Sequence, residues 1–373
     1  MTGGRILVVG AGIAGLCLNI ALADGPWQVD LVERDATGRP VGAGLAIQPN
    51  AMRALRQLGV AASVADAGVA IDRFQYRDGS GELLCDVDLG ALWAGVGPFV
   101  GIARAALHAV LRRAGPDRCR TGTAVTSLVQ RDGVVRVSFD DASSAAYDLV
   151  VGADGLRSAV RRSALGGRGP VYGGQMVWRA LAPMRPAGVA AVQFFLGADR
   201  FFGLCPVGDG ATYGFANLAG ARSRDPVAGR KARLVERFAA FDRPVVEFLA
   251  AVPGDDTLHC APVEWLPEVG WHAGRVVLVG DAAHATSPMM GQGGCLAIED
   301  AVVLAEQLRD ATDIDAALAG YVRRRQERVA WVRQQTATLG ELLRLPTEVR
   351  DRALRDRGTA AFHDRYRPLT RWH

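Results

Sequence analysis

Three glycines stand as GxGxxG in Gly10-Ala11-Gly12-Ile13-Ala14-Gly15. This spacing suits a phosphate. Gly10 permits a tight turn, Gly12 lets backbone approach a pyrophosphate, and Gly15 allows close helix–strand packing. An acid follows at Glu33, 18 residues past Gly15, placed to accept from ribose hydroxyls. Two more clusters pair glycine with aspartate. One is Gly152-Ala153-Asp154-Gly155, and the other is Gly280-Asp281, followed by Pro288-Met289-Met290-Gly291-Gln292-Gly293-Gly294. Each alone reads equally well as a turn.

Strands and helices must carry these motifs. Residues 6–9 form an apolar run ending at Gly10, read as a buried strand. Residues 13–23 read as a packed helix and 29–32 as a second strand, giving a βαβ unit. Helices are expected over 50–58 and 103–113. A hairpin is expected over 74–87 around Asp78-Gly79-Ser80-Gly81, and two strands over 124–140 turning at Arg131-Asp132-Gly133. Residues 148–151 form another buried strand. From about Gly166 the pattern changes to short apolar and aromatic strands at 177–181, 191–196, 201–206 and 212–217. These predict an antiparallel sheet with one buried face. Helices at 230–241 and 244–251 follow, then a strand at 275–279 and helices at 294–308 and 314–343. The two kinds of structure interleave along the chain.

Composition excludes several classes. The 373 residues are 49% hydrophobic and 22% charged, an ordinary globular balance. The formal charge is +4, with 43 basic residues of which only Lys231 is lysine. Arginines and acids are interspersed, which argues against nucleic-acid binding. None of the six cysteines forms a CxxC pair, so no zinc site or dithiol is expected, and the scatter fits a reducing cytoplasm. The longest apolar stretch carries Asn19 and is too short to cross a membrane. No Ser/His/Asp set is evident.

Together the three clusters resemble the class A flavoprotein monooxygenases, the para-hydroxybenzoate hydroxylase-like family. The run from Gly291 to Ala301 looks most like the urate hydroxylase and zeaxanthin epoxidase branch, with salicylate hydroxylases close behind. The resemblance implies an α/β fold: a Rossmann-like FAD-binding domain interleaved with a β-sheet substrate domain, plus C-terminal helices. The FAD domain would comprise 1–70, 98–165 and 272–345. The substrate domain would comprise 71–97 and 166–271, with 346–373 a helical tail. Gly10, Gly12, Ala14, Gly15, Glu33 and Arg34 would hold the ADP half of FAD. Arg104 would touch its central portion. Asp154 and Gly155 would lie between FAD and a visiting NADH or NADPH, and Gly280 and Asp281 at the ribityl chain. Pro288, Gly291, Gln292, Gly293 and Gly294 would border the isoalloxazine ring, where a helix N-terminus favours negative charge. His284 matches a structural position rather than a base.

The resemblance also implies the chemistry. NAD(P)H reduces FAD, O2 forms a C4a-hydroperoxide, and one oxygen passes to a small aromatic or polycyclic substrate. Such a species must be kept from water. The aromatic strands supply candidate walls in Trp178, Phe194, Phe195, Phe201, Phe202, Leu204, Tyr213 and Phe215. Alternation forbids neighbours from lining one pocket together. Arg179, Gln193, Arg200 and Tyr213 are polar candidates. Arg200 and Tyr213 roughly match positions that handle substrate in the urate hydroxylase branch. That branch expects an acid after Pro288, where Met289-Met290 stand, so a more apolar substrate than urate is expected. Gln48 is placed at the same cavity. Epoxidation of an alkene is the alternative, and a non-catalytic flavin-binding sensor a remote one. Halogenases of this fold need an early lysine and Trp-x-Trp, and disulfide reductases need a cysteine pair and a second GxGxxG; this chain has neither set. A monomer or homodimer is expected.

Overall fold

Ile6 to Val9 can all be apolar because the Arg5–Val9 strand lies in a sheet covered on both faces. The computed structural model of the chain describes residues 3–38, 42–311 and 313–372. A six-stranded sheet runs in the order His272–Ala273, Val276–Leu278, Leu149–Gly152, Arg5–Val9, Gln28–Glu33 and Cys119–Thr121. All its junctions are parallel except the first. From the central Arg5–Val9 strand the chain crosses through the Ile13–Ala21 helix to Gln28–Glu33 on one side. It returns on the other side at Leu149–Gly152. A change of direction about the first strand opens a crevice at the carboxyl ends of the strands.

Register gathers the motifs there. Val9 lies opposite both Val32 and Gly152, and Gly152 opposite Leu278. Gly10, Glu33, Asp154 and Gly280 therefore emerge from four adjacent strand ends.

The second layer is a seven-stranded sheet. Its order is His259–Trp265, Val171–Ala182, Thr212–Ala219, Arg200–Pro206, Val192–Leu196, Arg73–Asp78 and Leu83–Asp88. Two expectations are corrected here. The junction of Val192–Leu196 with Arg73–Asp78 is parallel. Both faces of the sheet are buried, not one. Phe195, Phe202 and Trp178 pack with Phe238 and Phe248 from the helical stretch 230–251. Phe194, Phe201 and Cys205 pack on the opposite face with Met289 and Met290. All five residues of Val192–Leu196 are accordingly buried.

Smaller sheets join the layers. Gly44–Ile47 and Val100–Ala103 pair antiparallel beside the crevice, and neither strand is expected from the sequence pattern. At the other end of the chain, the Ile314–Leu342 and Thr347–Tyr366 helices close the aromatic face. Phe362 of the latter has its ring 5.0 Å from Phe74 and 4.4 Å from Tyr366. Among the described residues, no helix is long and apolar enough to cross a membrane.

Candidate active site

The first glycine loop has the contacts its spacing demands. Gly10 has φ +104°, and a Cβ there would lie 2.6 Å from the Ala153 carbonyl oxygen. A Cβ at Gly15 would lie 1.9 Å from the Gly10 oxygen. At Gly12, by contrast, a Cβ would meet nothing within 4 Å. The Ile13–Ala21 helix starts there with no side-chain cap and no acid in its first turn. Its free N–H groups, that of Ala14 among them, face an open, electropositive end suited to phosphate. Glu33 steadies the loop by accepting from the Ala11 and Asp35 amides at 2.9 and 2.8 Å. Arg34 beside it is exposed. His108 adds a contact that sequence reading missed, with Nε2 3.1 Å from the Ala11 carbonyl oxygen.

The second cluster turns at Gly155, φ +76°. Asp154 Oδ2 accepts from the Ala159 and Val160 amides and so caps a short helix. Its Oδ1 is buried without a partner. In the third cluster, Gly280 has φ +59° and sits between Ala297 and Ala14. Asp281 opens onto the crevice yet is ringed by protein. That burial raises its carboxyl pKa, with His284 and Arg104 opposing. Arg104 opens the Arg104–Ala114 helix, and its Nε is buried without a hydrogen-bond partner. Burial lowers its pKa, while the nearby Asp281 raises it. His284 is buried. Its Nε2 lies 2.6 Å from Asp300 Oδ2, which also accepts from the Gly280 amide.

Pro288–Met290 is a single 3-10 turn closed by Gly291 in the left-handed region, φ +65°. The Gly293–Asp310 helix follows, with no side-chain cap and no acid in its first turn. Gly293 and Gly294 thus offer bare N–H groups to the crevice. Beneath the turn lies a buried polar network. Gln48 Nε2 donates to the Met290 carbonyl at 2.7 Å, and Gln48 Oε1 accepts from Gln292 Nε2 at 2.6 Å. Both ends of the Gln48 side chain are therefore engaged, so it supports the turn instead of meeting a substrate. Asn50 Nδ2 donates to Gln292 Oε1 and Glu299 Oε1 at 3.1 and 3.0 Å. Arg325 and Arg328 pair with Glu299, and Arg325 also pairs with Asp300. Burial raises the Glu299 carboxyl, but Arg328 and Arg325 outweigh it and hold the pKa down to about 2. Two acids inside the apolar run 295–305 were the overlooked signal, since buried charges require partners.

The seven-stranded sheet presents one face to this crevice. Tyr213 fixes which one: a Cβ at Gly44 would lie 2.4 Å from its ring. Arg179, Phe215 and Phe201 share that face by alternation and pairing. Gly203 leaves room for the Phe215 ring, which a Cβ there would meet at 2.0 Å. Burial raises the Tyr213 phenol pKa, and the Arg179 guanidinium opposes that. Six sequence candidates point the other way and are corrected, among them Phe195 and Leu204, which are buried in the core on the sheet's other face. Trp178 donates to Asp225, and Phe202 packs on Phe238 and Phe248. Gln193 donates to Gln75 and the Gly188 carbonyl. Arg200 pairs with Asp199 and donates to the Arg237 carbonyl. Each is an odd number of residues from a site-facing neighbour, so the pleat turns it away.

Two uncapped helix ends, an open Gly12, an unpartnered Arg104 Nε and an acid opening onto the crevice at the third motif fit a dinucleotide with a flat ring system. Residues 4–336 match the FAD binding domain family, and the chain belongs to it. Within that family it is an FAD-dependent monooxygenase or hydroxylase. It is 36% identical over 331 residues to the aurachin C monooxygenase/isomerase of Stigmatella aurantiaca, covering 88% of this chain and 86% of that protein. It is 33% identical to the 3-amino-4-hydroxybenzoate 2-monooxygenase PtnB3 of Streptomyces platensis, covering 95% and 91%. The crystal structure of Klebsiella pneumoniae HpxO complexed with FAD and uric acid superimposes with a TM-score of 0.90 at 29% identity, covering 98% of this chain and 97% of that one.

Proposed function

We propose that this protein uses NAD(P)H and O2 to hydroxylate an aromatic or polycyclic substrate more apolar than urate. Bound FAD supplies the redox chemistry, taking reducing equivalents from the nicotinamide and activating O2 for transfer of one oxygen atom. The residues around it do the rest. The Ile13–Ala21 helix N-terminus and the loop that Glu33 braces would hold the ADP half. Arg104 and Asp281 would stand at its middle. Gly293 and Gly294 N–H groups favour negative charge on the ring edge, worth roughly 0.3–2 kcal/mol.

The observation that carries the substrate class is the crevice face of the sheet. Phe194, Phe201, Tyr213 and Phe215 form a continuous row of rings, each 5.3–6.3 Å from the next. Met289 and Met290 pack against the same cluster. A flat apolar ring fits such a wall, and the wall keeps water from the reacting atoms. Arg179 beside Tyr213 is the cation of this face and would orient a phenolic or carboxylate oxygen. Gly155 and the free Asp154 Oδ1 border the route proposed for the visiting nicotinamide.

The test is NAD(P)H oxidation by the FAD-loaded protein across a panel of aromatic compounds, with product masses. The expected result is stimulation by apolar phenols or fused rings and a gain of one oxygen atom. Oxidation that no compound stimulates, with no oxygenated product, would overturn the proposal. Preference for an unconjugated alkene would favour epoxidation.

A further inference from the structure

The amides beneath the Pro288–Met290 turn cannot be oriented independently. Glu299 is fully buried, ionised and acceptor-only, and its other neighbours, Arg325 and Arg328, are donor-only. Asn50 must therefore turn its NH2 toward Glu299. The second hydrogen of that NH2 then points at Gln292, which must present its oxygen. This places the Gln292 NH2 against Gln48, which must present oxygen in turn. The remaining Gln48 NH2 meets the Met290 carbonyl, which also accepts from Tyr366 Oη at 3.1 Å. Reversing any one amide sets oxygen against oxygen or NH2 against NH2.

We infer that Glu299 fixes the direction of this chain, and that Asn50, Gln292 and Gln48 are positioning residues that lock the Met290 peptide and the flavin-facing turn after it. The inference rests on the FAD reading only for its consequence, because the lock itself belongs to the protein alone. A carbonyl held inward by two donors keeps the 288–291 turn closed. The turn in turn aims the bare N–H groups of Gly293 and Gly294 into the crevice. Rigid support of this kind decides whether a site is held to within a fraction of an ångström.

The experiment uses Gln48→Met, Asn50→Leu and the double variant, with Tyr366→Phe as a milder change. Amide hydrogen exchange over residues 288–294 is measured on the FAD-free full chain, and the visible absorption of bound flavin after loading. Exchange in this segment should rise about tenfold in each single variant, the scale of one lost buried hydrogen bond. The double variant should add little, because one chain is broken twice. Tyr366→Phe should move exchange in the same direction by less. The flavin band should shift in every variant that loses the lock. Folded variants with wild-type exchange and flavin spectrum would overturn the inference, as would additive effects of the two single changes. If Gln48→Met or Asn50→Leu fails to fold, Tyr366→Phe decides by the same two readouts. Wild-type protein that takes up no FAD would sink the proposed function instead, leaving the exchange result to stand alone.

Discussion

Alanine at Gly12 and alanine at Gly15 should separate folding from cofactor binding. The Gly15→Ala methyl would begin 1.9 Å from the Gly10 carbonyl oxygen, and Cβ atoms essentially never come within 3.0 Å of such a neighbour. The loop must shift by about 1 Å, against backbone that has no rotamer to change. Overpacking of this kind costs about 1–3 kcal/mol. Stability of the FAD-free chain should fall by that amount, and FAD affinity by roughly tenfold to a hundredfold, at about 1.4 kcal/mol per tenfold. The Gly12→Ala methyl meets nothing within 4 Å, and its φ of −74° suits any residue. Stability should stay within about 0.5 kcal/mol. FAD affinity should still fall at least about tenfold, because the methyl occupies the approach reserved for pyrophosphate. Denaturant unfolding of the FAD-free proteins and FAD titration by flavin fluorescence give both numbers. Wild-type FAD affinity in Gly12→Ala would refute the placement of the pyrophosphate.

Arg200→Ala should leave substrate KM within about twofold, since its guanidinium serves Asp199 and Arg237; Arg179→Gln should raise KM for an anionic substrate about tenfold, the scale of a charged hydrogen bond. Steady-state kinetics compare the two, and a larger effect at Arg200 would reverse the assignment of faces. Phe202→Ala should destabilise by about 3–5 kcal/mol through a core cavity while leaving the substrate specificity of the remaining folded enzyme unchanged. Acid should unfold the protein through Glu299 and Asp300. Folding lowers them from 4.5 and 3.8 to about 2, so their stabilisation is complete above pH 4.5 and is lost as pH falls toward 2. Stability independent of pH across that window, measured by denaturant midpoints, would contradict the buried ion cluster.

The glycine motifs were legible because their requirements are local. A positive φ at Gly10 and Gly280, and a missing side chain at Gly15, are written directly as glycine. The substrate wall was harder to read. A sheet buried on both faces has no polar phase, so Val192–Leu196 reads the same from either side. Tyr213 and Phe215 lie on the crevice face and Phe202 and Trp178 on the other, a division that the sequence pattern lacks the phase to show. The buried network spans residues 48 to 328 and depends on pairings that no periodicity encodes. The Gly44–Ile47 and Val100–Ala103 strands, four residues each, are too short to declare a period.

The parallel register that brings Gly10, Asp154 and Gly280 to one edge also sets an order of events during synthesis. The glycine loop leaves the ribosome about 270 residues before Gly280. At about 5–20 residues per second, roughly 15–55 s pass before the strand that completes its sheet exists. For about the last 6–25 s of that interval, Leu149–Gly152 is a wholly apolar edge paired only with Arg5–Val9, its other side open to association with other chains. The network around Glu299 and the helices that cover the aromatic face are made later still. Variants that weaken the last third of the chain should therefore lower soluble yield before they lower cofactor affinity. With FAD placed across all three strand ends as proposed, free FAD would not rescue a chain that stops short of them.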